Sequence, residues 1–169
     1  MEKKLQESID RAIVLLGTSK EYSDYISIKL SILPSGCCCS SCLPETWRII
    51  NQFIAPCGPV GHEGDALIES GINKFVLESH ESGLEIIALI DLIKKSSDCL
   101  KSIIQLIVVA IKAFSKEKRR QSVRIKILRR QVIKGVVEEE NLIEIDFPIS
   151  KDTERQLQSK LKNLIKKIP

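Results

Sequence analysis

Three consecutive cysteines, Cys37, Cys38 and Cys39, are followed after two serines by Cys42. Cys39 and Cys42 form a C-x-x-C pair, a spacing at which two thiolates reach one soft cation. Cys57 and His62 follow in a segment rich in glycine and proline, and with Cys39 and Cys42 they make up the candidate metal set. A zinc site legible from sequence normally shows a second Cys or His pair at ligand spacing. One Cys and one His in a breaker-rich loop are a weaker second half, so a cluster of free thiols is the preferred reading. The same residues admit a cysteine hydrolase, with Cys57 or Cys42 as nucleophile and His62 or His80 as base. Such chemistry also needs an orienting Asn or Asp and an oxyanion hole, and the spacing specifies neither. Gly58, Gly61 and Gly64 are followed by no G-K-[ST] and make no phosphate loop. The sequence is therefore expected to encode no enzyme and to need no cofactor.

A second constellation is basic. Lys116, Lys118, Arg119, Arg120, Arg124, Arg129 and Arg130 crowd a stretch that also holds Lys126 and a single acid, Glu117. Such a patch could neutralise phosphates on nucleic acid or on an anionic membrane. The plainer alternative is a helix C-terminus whose cations complement the helix dipole, followed by a solvated strand face. Glu138 to Glu140 are then available to pair with it. The plainer reading is preferred. A net charge of +4 is too modest to demand a polyanion, and at 4% aromatic content there are few rings for stacking bases.

The elements that must carry these residues are read from hydrophobic period. Leu5, Ile9, Ala12, Ile13 and Leu16 keep helical spacing up to Gly17, which marks a stop. Ile26, Ile28, Leu30 and Ile32 alternate with polar residues until Pro34, which predicts a strand. A helix is expected from Pro44 to Ile54, a loop from Ala55 to Gly64, and a further helix from Ala66 to Leu77. Ser82 and Glu85 form a capping box for a long apolar helix running to about Ser115, with a bend or break at the polar interruption Lys94 to Asp98. Its cleanest apolar stretch, Ser102 to Ile111, is too short to cross a membrane. Val123, Ile125 and Ile127, and later Ile143, Ile145 and Phe147, alternate as two hairpin strands. Lys134–Gly135 suggests a bend between them and Glu138 to Asn141 an acidic turn, so the hairpin tip is expected to be long or irregular. Ser150 is a candidate N-cap for a last amphipathic helix carrying Leu157, Leu161, Leu164 and Ile165.

Together these predict a single α+β domain over residues 1–169, with a Cys/Gly/Pro-rich loop region around 34–64. Its sheet is expected to be small and three-stranded, one N-terminal strand plus a C-terminal β-hairpin, covered by a long apolar helix and a C-terminal helix. The first residues lack the apolar core and cleavage site of a secretory signal, so a cytoplasmic protein with reduced thiols is expected. The order strand, loop, long apolar helix, basic cluster, two strands, helix resembles the effector-associated constant component domains of bacterial conflict systems. The residues that carry the likeness are Ile103 to Phe114, Lys116 to Arg120, Ser122 to Ile125 and Leu142 to Asp146. The resemblance implies a non-enzymatic adaptor for protein–protein interaction in bacterial defence, antiviral immunity or signalling. It also implies an effector protein as partner, of protease-like kind in some members, and leaves room for a homo-oligomer. The family offers no catalytic residues to carry over.

Overall fold

The structure is a computed structural model that describes residues 2–33, 37–54, 65–70, 73–80, 83–116, 122–148 and 152–168. Among the described residues five helices and six strands follow one another: α1 (Glu2–Leu16), β1 (Tyr22–Leu33), α2 (Pro44–Phe53), β2 (Asp65–Ser70), β3 (Asn73–His80), β4 (Gly83–Leu89), α3 (Ile90–Lys95), α4 (Ser97–Ser115), β5 (Ser122–Ile133), β6 (Val136–Pro148) and α5 (Thr153–Lys167). The strands form one sheet in the order β2-β3-β4-β1-β5-β6, antiparallel at every pairing. The fold is thus α+β, as expected, but its sheet has six strands rather than three.

Strand period divides the core between the two faces of this sheet. From β1, Ile26, Ile28 and Leu30 enter the larger core together with Val123, Ile125 and Ile127 of β5. Helices α2, α4 and α5 cover that face through Trp47, Ile50, Ile103, Ile107, Phe114, Leu157 and Leu161. The alternate residue Tyr25 points the other way, with Val76, Ile87 and Val132, onto a smaller core closed by Ile9, Ala12, Ile13 and Leu16 of α1. The expected pairing of the long and C-terminal helices on one side is present; the cover that α1 gives the other side is additional.

Two of the strands not foreseen, β3 and β4, are buried on both faces. The expected helix over Ala66 to Leu77 is the β2–β3 hairpin. Phe75 and Leu77 enter the larger core and Val76 the smaller one, so their side chains alternate although all three are apolar. A strand of this kind reads as a continuous apolar run and imitates a buried helix. The same holds for β4, which occupies the start of the predicted long helix: Leu84, Ile86 and Ala88 face one core and Ile87 the other. Gly83 opens β4 at φ +147°, and a Cβ there would run into the Leu30 carbonyl of β1. Helix begins only at Ile90 and is interrupted within the polar stretch, where Ser96 caps α4 by accepting from the Cys99 amide at 3.2 Å.

The hairpin tip is shorter than expected. Lys134 (φ 50°) and Gly135 (φ 79°) make a two-residue turn of the left-handed kind that fits strand twist. Glu138 to Asn141 are residues of β6 rather than a turn. The irregularity sits instead where the register between β5 and β6 shifts at Ile127/Leu128. The expected loop from Ala55 to Gly64 and the Ser150 cap lie outside the described residues. Among the described residues no helix is long and apolar enough to cross a membrane.

Candidate functional site

Chemistry-bearing side chains gather at two places. The first is the turn that leads into α2. The Cys39 carbonyl accepts from the amides of Cys42 (3.1 Å) and Leu43 (2.9 Å), which folds 39–43 back on itself. The Trp47 indole donates to the Cys38 carbonyl at 2.7 Å, and the buried Cys38 and Trp47 side chains tie the turn to the larger core. With Cys38 turned inward, the sulfurs of Cys37, Cys39 and Cys42 converge, all within 4.8 Å of one another. The Cys37 thiol donates to the Cys39 sulfur at 3.1 Å. That bond, with a further one from the Cys42 backbone, lowers the Cys39 pKa to about 6. Cys37 and Cys39 in turn push the Cys42 thiol up to about 12. Of the sequence-predicted metal set, Cys39 and Cys42 are together, Cys37 joins them, and Cys57 and His62 lie outside the described residues. Cys99 stands apart in α4, its thiol raised by burial.

The second place is on the α1 side of the sheet, and sequence reasoning missed it. Glu78 of β3 and Glu85 of β4 are directly opposed across the hairpin, and both are buried. Two carboxylates in that position repel each other and lose hydration, so each must be matched. Ser8 of α1 donates to both oxygens of Glu78 at 3.1 and 3.0 Å. Ser27 donates to Glu85, and Arg130 of β5, itself 1% exposed, donates to Glu85 at 2.7 Å and to Glu139 at 2.9 Å. His80 Nε2 straddles the pair, 3.2 Å from Glu78 and 3.3 Å from Glu85. The hydrogen bonds to Glu78 and then Glu85 raise the His80 pKa to about 9 against the opposing effect of burial. Burial alone would raise the Glu85 carboxyl; His80, Arg130 and Ser27 overcome it and bring the value to about 2. The site is thus an ion network in which imidazolium and guanidinium are set against the buried carboxylates of Glu78 and Glu85, with Arg11 3.8 Å from Glu78 and Glu139 paired to Arg130. Its signal in the sequence was Glu78-x-His80, two residues on one face of a strand, ahead of a reversal that returns Glu85 to the same face. Assigning Glu85 to a helix cap concealed it.

Of the hydrolase pairings, Cys57 or Cys42 with His62 or His80, the one that falls wholly among the described residues is Cys42 with His80. Cys42 is held among sulfurs and His80 between carboxylates, in separate clusters.

The basic patch is dispersed by the sheet. Arg124 pairs bidentately with Asp146 at 2.7 and 3.0 Å, and Arg129 with Asp24 at 3.1 and 2.8 Å. In the β1–β5 register Arg129 lies opposite Ile26 and Arg130 opposite Tyr25, so neighbouring arginines serve opposite faces. Lys116 is exposed at the end of α4, whereas Lys118, Arg119 and Arg120 lie outside the described residues. A cleft of about 510 Å³ opens where Arg129, Glu140 and Ile143 meet Leu164, Lys167 and Ile168 at the end of α5. Against models of known protein families, curated proteins and solved structures, the chain finds no match.

Proposed function

We propose that this protein is a non-catalytic interaction module which couples to a partner protein by accepting an extended, basic segment along β6. The observation that carries this reading is the edge itself. β6 is 13 residues long, pairs with β5 on one side, and is the last strand of the sheet. An open edge offers unpaired backbone donors and acceptors to an incoming strand, and side chains on either side of it select which strand binds. Here the selecting groups are acidic: Glu138 and Glu140 are exposed on β6, beside Glu139, Glu144 and Asp146, whose carboxylates already pair with Arg130 and Arg124. Tyr22, Ile133 and Val136, exposed side by side at the hairpin end, add an apolar anchor. The effector expected from the family resemblance is the partner we assign to this edge, in a bacterial defence setting and in the cytoplasm.

A phosphate-binding surface ranks second, because Arg124, Arg129 and Arg130 are already engaged by acids and divided between two faces. The test is co-purification with the protein encoded beside it, before and after Glu138→Lys with Glu140→Lys. Both side chains are exposed, so the fold should tolerate the change while the complex is lost. Association that survives charge reversal, or no association with the unaltered chain, would sink the proposal.

A further inference from the structure

We propose that Cys37, Cys39 and Cys42 form a three-sulfur binding site for a thiophilic d10 cation, Cu+ or Zn2+. Metal–sulfur bonds of about 2.3 Å place sulfurs roughly 3.8 to 4.0 Å apart around one ion, in either tetrahedral or trigonal geometry. The observed separations, 3.1 Å for Cys37–Cys39 and at most 4.8 Å for the set, bracket that value, so side-chain rotation alone brings the sulfurs to ligand distance. All three come from one short turn whose backbone is fixed by the Cys39 carbonyl and by Trp47, which reduces the ordering a metal must impose. Cys37 and Cys42 are exposed and Cys39 is buried, so the set opens to solvent on one side and is anchored on the other. An all-sulfur set selects soft cations over calcium or magnesium, which take oxygen ligands.

The carboxylate–histidine network is a poorer host by the same criteria. Its oxygens are committed to Ser8, Ser27 and Arg130, and a guanidinium 2.7 Å from Glu85 repels any cation placed there. At the thiol turn the ligands are sulfurs alone, and their ligation as thiolates is accompanied by proton release.

The experiment is a titration of reduced, metal-free full-length protein with Zn2+, and anaerobically with Cu+, each against a chromophoric chelator of known affinity. We expect one equivalent of at least one of the two metals, with proton release and protection of the exposed thiols from alkylation. Cys37→Ser, Cys39→Ser and Cys42→Ser should each weaken binding by about 100-fold or more, at least the loss that supporting residues already give at metal sites. Cys99→Ala should leave it unchanged. Cys37 and Cys42 are exposed, so their serine variants report on ligation even if Cys39→Ser disturbs the turn. Stoichiometric binding of Zn2+, of Cu+ or of both, lost in the serine variants, supports the proposal and identifies the metal. Binding of neither, or equal binding by the variant lacking all three thiols, overturns it.

Discussion

His80 bridges two carboxylates with one proton, and its charge is what makes their juxtaposition tolerable. A histidine whose folded pKa is about 9 against an ordinary 6.5 contributes stability that is complete below 6.5 and is lost as pH rises through 9. The ring is 39% exposed, so solvent screens much of the effect, and roughly 1 to 2 kcal/mol should disappear over that interval. Urea unfolding of the native protein and of His80→Gln at pH 6, 8 and 10 would show it: the gap between the two should narrow with pH. A constant gap would mean that His80 acts by packing rather than charge. Tyr25 makes the opposite case. Its hydroxyl is buried beside the network with no hydrogen-bond partner among the described residues, and burial drives its pKa well upward. Removing an unsatisfied buried hydroxyl is neutral or favourable, so Tyr25→Phe should hold stability level or raise it by about 1 kcal/mol. A loss of more than 1 kcal/mol would instead reveal that the hydroxyl is satisfied.

At the scale of the element, two glycines of opposite consequence separate a packing requirement from a turn preference. Gly83→Ala drives a methyl into the Leu30 carbonyl at the end of the β1–β4 pairing and should cost at least about 3 kcal/mol. Gly135→Ala meets no atom within 4 Å and faces only the left-handed backbone penalty, about 1 kcal/mol. Denaturant midpoints of the two variants check both figures; equal losses would refute the distinction. Gly83 also shows where the sequence was legible. Half-buried elements announced themselves through their period: β1, β5 and β6 by alternation, and α1, α2 and α5 by an apolar stripe. β3 and β4 did not, because Phe75, Val76 and Leu77, like Leu84, Ile86 and Ile87, are apolar toward both cores and leave no polar face to mark the period. The site followed the same division. Clustered cysteines are close in sequence, so their convergence could be anticipated from spacing. The Glu78–His80–Glu85–Arg130 network depends on strand register, which no local pattern of these residues displays.

For the molecule as a whole, the sheet separates cores of unequal size. The larger is closed by α2, α4 and α5, and the smaller by α1 alone. A single amphipathic helix over a small cluster can lift away without exposing the other side, whereas opening α4 disrupts the larger core outright. Native-state hydrogen exchange should therefore show the α1 amides exchanging through a low-energy local opening, and those of α4 and β1 only near global unfolding. Equal protection across α1 and α4 would indicate one cooperative unit. The strand order has a consequence for how the chain is made. β1 comes before the other described strands in the chain, yet it lies in the middle of the sheet between β4 and β5. Its contacts reach forward 58 residues from Ser27 to Glu85 and 105 from Asp24 to Arg129. Both of its hydrogen-bonding edges stay unsatisfied until β4 and β5 have followed it, so the sheet closes late around β1 rather than growing strand by strand from it.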